Sequence, residues 1–172
     1  MRSLGKHLRT IIWIAAATLA LVSTLSFAQD AIFIESANAL HDYLSLQSPV
    51  PVLKDKSSGT ETADGVILWH PALDGEKGIL FASFESKQMR GAYLRRKGNS
   101  LVVERDDGSP EFAKDASFKV TFPGGGSLTL ESIGRPGYFI RHNELSVVLE
   151  PSDKSPVFQG DTRYFRVPVD AR

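Results

Sequence analysis

Glu85-Ser86-Lys87-Gln88-Met89-Arg90-Gly91-Ala92-Tyr93 is the middle one of three copies of a single pattern. Glu35-Ser36 and Glu131-Ser132 open the other two copies, and eight residues after each Glu stands an aromatic: Tyr43, Tyr93 and Phe139. Further on, each copy has an Asp ahead of a strand-type apolar residue: Asp64 before Ile67, Asp115 before Phe118 and Asp161 before Phe165. The Glu-Ser sites lie 50 and then 46 residues apart, and the Asp positions 51 and then 46. A recurrence of this period marks one supersecondary unit used three times. Function is then to be sought where the copies agree or conspicuously differ.

The apolar stretches between these landmarks are short and mostly alternate with polar residues, as half-buried strands do. Residues 79–85, 101–104, 117–122, 127–131, 145–149 and 164–167 all read this way. Turn signals separate them at Lys97-Gly98-Asn99, Asp106-Asp107-Gly108-Ser109-Pro110, residues 123–126, Arg135-Pro136-Gly137 and Pro151-Ser152-Asp153, where Gly and Pro are expected to break any helix. Ala39, Leu40, Tyr43 and Leu44 could share one helical face within residues 36–46. In the other copies, however, the same segment aligns with strand–turn–strand sequence, and repetition outranks a weak local propensity. Four short strands in each of three copies give about twelve. The expectation is an all-β fold, a β-trefoil, whose closed barrel and triangular cap leave no long exposed edge. Phe112, Phe158, Phe118 and Phe165 are expected in its core. Glu35, Glu85 and Glu131 repeat too faithfully for a variable ligand site and are expected to be structural, paired with arginines such as Arg95 or Arg141.

The first residues stand outside the repeat. Arg2, Lys6 and Arg9 precede an apolar run over residues 11–22, and Ser26-Phe27-Ala28 supplies the small residues a signal peptidase reads. Residues 1–28 are therefore expected to be a signal peptide. Residues 29–172 are expected to be one trefoil domain, with repeats at about 31–78, 79–126 and 127–172. The run falls short of the roughly 20 residues that cross a bilayer. Removing it takes three of the 20 basic residues and no acidic one, leaving 17 against 20 and a net of about −3. Such a balance lacks the basic excess that phosphate backbones demand, so nucleic acid is not an expected partner. The chain has no cysteine. Stability must therefore come from packing, and export without disulfides suits a periplasmic or secreted bacterial protein.

Two copies carry a resemblance. Ser83-Phe84-Glu85-Ser86, Gly91-Ala92-Tyr93-Leu94-Arg95-Arg96 and Phe112-Ala113-Lys114-Asp115-Ala116-Ser117-Phe118 resemble one repeat of the arabinofuranose-binding (AbfB) β-trefoil family, found attached to α-L-arabinofuranosidases. Leu130-Glu131-Ser132, Pro136-Gly137-Tyr138-Phe139-Ile140-Arg141-His142 and Phe158-Gln159-Gly160-Asp161 resemble another. The first copy, 31–77, is a degenerate relative in register. The resemblance implies one shallow pocket per repeat for an arabinofuranosyl side chain of a plant polysaccharide, read by a His and an Asp. Carried over, it implies His142 and Asp161 in the third repeat. In the second it implies Asp115, with Arg96 where His is expected. In the first, Leu46 replaces the His and only Asp64 remains. One pocket is thus expected intact, one altered and one lost. Arg96 would either close its pocket or turn it towards an anionic sugar, whose carboxylate a guanidinium matches.

The chemistry is reasonable without the family. A furanose presents vicinal hydroxyls; an ionised Asp offers only acceptor sites, and a neutral His donates from one nitrogen and accepts at the other. Tyr138 could pack on the apolar face of the ring. Against this stand plainer roles: Asp64, Asp115 and Asp161 could cap turns by accepting backbone N–H bonds, and His142 could be an ordinary surface histidine. No catalytic residue, cofactor or metal ligand set is expected, since no nucleophile elbow, phosphate loop or His spacing for a metal is present. The leading expectation is an exported, non-catalytic carbohydrate-binding module with an arabinose-decorated polysaccharide or oligosaccharide as partner. The alternatives are a protein-interaction trefoil with decayed pockets, or an accessory to a separate glycoside hydrolase.

Overall fold

The computed structural model describes residues 30–55, 65–76, 78 and 80–169. The expected signal peptide and Asp64 lie outside them. The first repeat holds β1 (Asp30–Ser36), β2 (Asp42–Ser45), β3 (Val52–Asp55) and β4 (Ile67–Pro71). The second holds β5 (Phe81–Ser86), β6 (Ala92–Lys97), β7 (Ser100–Arg105) and β8 (Phe118–Gly124). The third holds β9 (Ser127–Ser132), β10 (Tyr138–Asn143), β11 (Ser146–Pro151) and β12 (Tyr164–Pro168). Strands β1, β4, β5, β8, β9 and β12 pair antiparallel, each with its two neighbours, and close a six-stranded ring. Hairpins β2–β3, β6–β7 and β10–β11 branch from it. They also touch one another, through the Ser146↔Val52 pairing and a bond from Val103 N–H to Pro49 O at 2.9 Å. This is the expected β-trefoil. Residues 36–46 run strand–turn–strand, so the helical face does not form there.

The repeated Glu-Ser sites set the register. Glu35 pairs with Tyr43, Glu85 with Tyr93 and Glu131 with Phe139. Each carboxylate then reaches back to the turn it encloses. Glu35 Oε1 accepts from His41 N–H at 2.9 Å, Glu85 Oε1 from Gly91 N–H at 2.8 Å and Glu131 Oε1 from Gly137 N–H at 2.7 Å. Those three donors have φ of 75°, 78° and 83°, a left-handed conformation that Gly adopts without steric cost. The glutamates are structural, as expected, but their shared partner is a turn N–H and not Arg95 or Arg141. Both arginines go elsewhere. The serines that follow, Ser36, Ser86 and Ser132, are all buried.

Inside the ring pack Ile32, Ile34, Phe84, Leu94, Phe118, Leu130 and Ile140, each 1% exposed or less. Ile67, Phe118 and Tyr164 hold equivalent places, each facing the buried Ser at the end of the neighbouring strand. Tyr164, not Phe165, therefore fills the third core position. Phe165 is half-buried. The expected spacing was off by one because Tyr164 and Phe165 are adjacent aromatics, and only the Asp-to-core interval of three residues separates them. The Tyr164 hydroxyl has no hydrogen-bond partner among the described residues, and burial pushes its phenol pKa far up, with the Asp161 charge adding to the effect. Burying an unpaired hydroxyl costs free energy. Tyr164→Phe is therefore expected to raise stability by about 1–2 kcal/mol in denaturant unfolding; destabilisation would show that the hydroxyl is satisfied in solution.

Two short helices, α1 (Pro110–Asp115) and α2 (Pro156–Asp161), correct the expectation that Gly and Pro exclude helix between β7 and β8 and between β11 and β12. Pro sits in the first turn, where its missing N–H is no loss. Ser109 and Ser155 cap the helices, accepting from Phe112 N–H at 3.0 Å and Phe158 N–H at 3.1 Å. Asp107 and Asp153 in turn accept from Ser109 N–H and Ser155 N–H, both at 2.8 Å. Bonds to the Ser hydroxyl and N–H hold both carboxyls below their usual range. Ser109→Ala is expected to cost about 1 kcal/mol, read by the midpoint of chemical unfolding.

Candidate functional site

Each helix ends on the Asp of its repeat, and each Phe one turn earlier anchors an arginine. Arg95 lies over the Phe112 ring at 4.7 Å and Arg141 over Phe158 at 5.5 Å. Arg141 Nη2 donates to Asp161 Oδ2 at 2.7 Å and Nη1 to Glu150 at 2.9 Å. Arg95 Nη2 reaches Asp115 Oδ2 at 3.4 Å. Among the described residues, neither Asp115 nor Asp161 takes a backbone N–H of its own turn. Their carboxylates are held by side chains, and the caps of these segments are Ser109 and Ser155.

In the third repeat the strand β10 carries Arg141 and His142 to the end of α2, and the first repeat completes the site. His142 is 6% exposed. Its Nε2 lies 2.6 Å from Asn38 Oδ1, 3.1 Å from Ser36 Oγ and 4.0 Å from Asp161 Oδ1. Asn38 Nδ2 donates to Asp161 Oδ1 at 2.9 Å. The Asn38 amide therefore bridges the pair, giving a hydrogen to the carboxylate and presenting an oxygen to the imidazole. On the far side, His142 Nδ1 faces Glu144 O at 3.2 Å. A neutral ring has one N–H for these two oxygens. A hydroxyl, which both donates and accepts, suits Nε2 in either tautomer. The backbone of Asn38 is on the surface and its side chain is exposed, so a ligand can meet the bridge from solvent.

The second repeat is built to the same plan with a different filling. Arg96 Nη2 donates to Asp115 Oδ1 at 2.5 Å, and its Nη1 to Gly98 O at 3.1 Å, the counterpart of the His142–Glu144 contact. Gly134 stands where the third site has Asn38. A Cβ there would lie 2.5 Å from Asp115 Oδ1 and 3.2 Å from Arg96 Nε, so only glycine lets the guanidinium lie against its own carboxylate. Arg96 is thus spent on Asp115, in addition to Arg95. In the first repeat Leu46 is 2% exposed and belongs to the barrel core.

Of the residues expected at a site, the structure brings together His142 with Asp161, and Arg96 with Asp115. It does not bring Tyr138 to either pair. Tyr138 opens β10 four residues before His142, packs on the core, and has Arg135 over its ring at 3.7 Å with Nη2 donating to its hydroxyl at 2.8 Å. The sequence reading missed Asn38, Ser36 and Arg141. Asn38 stands three residues after Glu35, where the other copies have Gln88 and Gly134, a difference that marks the position without naming its partners.

Fold and site together define a β-trefoil with a polar side-chain cluster where one repeat meets the next. The family model described as the alpha-L-arabinofuranosidase B (ABFB) domain matches residues 32–167. The chain belongs to that family. None of the curated proteins compared with it matches. Among solved structures, an arabinofuranosidase complexed with arabinofuranosyl-alpha-1,2-xylobiose is similar at 19% identity and a TM-score of 0.69, over 81% of this chain and 31% of that one. The chain thus spans about a third of such enzymes. The Haemophilus ducreyi cytolethal distending toxin is similar at 13% identity and TM-score 0.64, over 81% and 83% of the two chains. The designed threefold symmetric protein ThreeFoil is similar at 7% identity and TM-score 0.60, over 81% and 99%. At these identities the likeness concerns the fold.

Proposed function

We propose that the protein is an exported carbohydrate-binding module, without catalysis of its own, that holds arabinofuranosyl side chains of a plant polysaccharide. The observation that carries the reading is the His142–Asn38–Asp161 bridge. An amide that gives a hydrogen to the carboxylate and an oxygen to the imidazole reproduces the donor and acceptor complement of two adjacent hydroxyls. A vicinal diol can take over the same bonds, and analogues without those hydroxyls would leave the polar groups unpaired. The family match supports a sugar as the ligand, and the arabinofuranosyl-xylobiose complex of a structural relative supports that sugar class. Asp115 and Asp161 sit in different repeats and each is neutralised by arginine, which suits holding a ligand rather than a general acid facing a nucleophile. One working site gives weak affinity for a single chain, and contacts gain strength where the polymer offers many side chains.

Affinity electrophoresis through gels containing arabinoxylan or arabinan, beside the same polymers stripped of arabinose, tests the reading. Retardation by the decorated polymers alone is expected. Equal mobility in all gels by folded protein would contradict it. The second reading, a trefoil that binds another protein, is favoured by Arg96 and Leu46, which stand in two of the three repeats where the His is expected.

A further inference from the structure

Beside the proposed sugar site lies a second concavity that the side-chain cluster does not use. It encloses about 300 Å³ and is lined by Asn38, Gly160, Arg163, Phe165 and the backbone of Gly124 and Gly125. That volume is at the lower end of the range of small-ligand pockets, about 300–1,000 Å³. Two features distinguish it from a crevice between strands. Arg163 makes no side-chain hydrogen bond or ion pair among the described residues, whereas the arginines of the other clusters, Arg95, Arg96 and Arg141, are each bound to a carboxylate. A half-buried guanidinium without a partner is a standing site for an anion, and its planar fork matches a carboxylate in two parallel bonds. Phe165, which the core does not take because Tyr164 fills that place, adds a half-buried aromatic surface beside it. Gly124 and Gly125, which also line the cleft, have φ of 113° and 64°, and nothing lies within 4 Å of where their Cβ atoms would be. A ligand can approach that bare backbone closely.

The cleft is continuous with the sugar site. Asn38 bridges His142 and Asp161 on one side and lines the cleft on the other, and Gly160 adjoins Asp161. We infer that this cleft takes a uronic acid residue of the same polymer, its carboxylate on Arg163 and its ring against Phe165, while the His142–Asp161 site takes the arabinosyl group. The inference rests on the proposed function and narrows its ligand to acidic, arabinose-bearing polysaccharides. It differs from an anionic role for Arg96, whose charge is already met by Asp115.

The test compares three probes at low and high salt: an arabinosylated xylan carrying uronate side groups, the same polymer with its carboxyls reduced to alcohols, and a uronate-bearing xylan without arabinose. Wild-type protein is expected to bind the first about tenfold more tightly than the second at low salt, the scale of one charge-assisted bond. That ratio should shrink at high salt, approach one in Arg163→Gln, and survive in part in Arg163→Lys, which keeps the charge and loses the fork. Equal affinity of wild type for the first two polymers, or a preference that persists in Arg163→Gln, overturns the uronate cleft while leaving the arabinosyl reading intact. Equal binding of the first and third polymers with Arg163-dependent affinity supports the cleft and overturns the arabinosyl reading instead.

Discussion

His142→Ala is expected to abolish the arabinose-dependent retention, weakening binding roughly 100-fold, as the loss of about two hydrogen bonds with partners left unpaired implies. The imidazole is the inner wall of the site: it is buried, and Ser36 Oγ, Asn38 Oδ1 and Glu144 O all face it. Removing it frees Asn38 to turn away and leaves Asp161 with the Arg141 guanidinium alone. Arg96→Ala is the matched control, since Arg96 holds the equivalent place in a site already filled by its own ion pair. It is expected to change affinity for a neutral arabinosylated polymer less than about twofold, within the scatter of surface substitutions. Titration of both variants by isothermal calorimetry, with near-ultraviolet circular dichroism to show that the fold persists, decides the matter. Similar losses in both variants would mean that the binding face is not the third-repeat cluster.

Phe84→Ala is expected to cost about 3–5 kcal/mol, the usual penalty for emptying a phenylalanine site in a close-packed core. Phe84 is fully buried, meets Trp69 edge-on at 5.0 Å between centroids and lies 5.8 Å from Phe118. These rings come from β4, β5 and β8, so one deletion loosens three strands of the closed ring. Against a typical total of about 5–15 kcal/mol, and with no disulfide to hold the chain, that loss is roughly a fifth or more of the stability. Each kcal/mol corresponds to about 2–4 °C in a domain of this size, so thermal unfolding should fall by roughly 10 °C. Val102→Ala, on the half-buried face of β7, should cost far less. Comparable losses at both positions would argue that the ring interior is not the main source of stability.

The threefold plan was legible because the residues that repeat are the ones that set strand register. Glu35, Glu85 and Glu131 recur since each turn needs one acceptor for a left-handed N–H; Glu85 also meets an arginine, Arg90 at 3.2 Å, but the partner that all three share is a backbone donor, which the sequence does not spell out. The two helices were signalled by Ser109-Pro110 and Ser155-Pro156, an N-cap followed by Pro at the first helical position. Pro110 was counted in a turn signal that breaks helices, a sense that applies to helix interiors and not to first turns. Tyr164, three residues after the Asp as Ile67 and Phe118 are, takes the core place expected for Phe165. The displacement of Phe165 puts an aromatic on the surface beside Arg163. At the site, His142 and Asp161 could be read from the repeat itself, each in its own copy. Asn38 could not be joined to them, since it comes from the other end of the chain, 104 residues from His142, and only closure of the ring brings β1 beside β12.

On binding, a furanose is expected to take the place of the Asn38 amide between His142 and Asp161. Nuclear magnetic resonance titration of ¹⁵N-labelled protein with methyl α-L-arabinofuranoside tests it most directly. Saturable shifts are expected at the Asn38 side-chain amide, the backbone of Ser36, Ala37, Gly160 and Asp161, and the His142 ring, with residues around Arg96 and Asp115 unmoved. Shifts confined to the second repeat, or none at concentrations that retard the protein in arabinosylated gels, would contradict it.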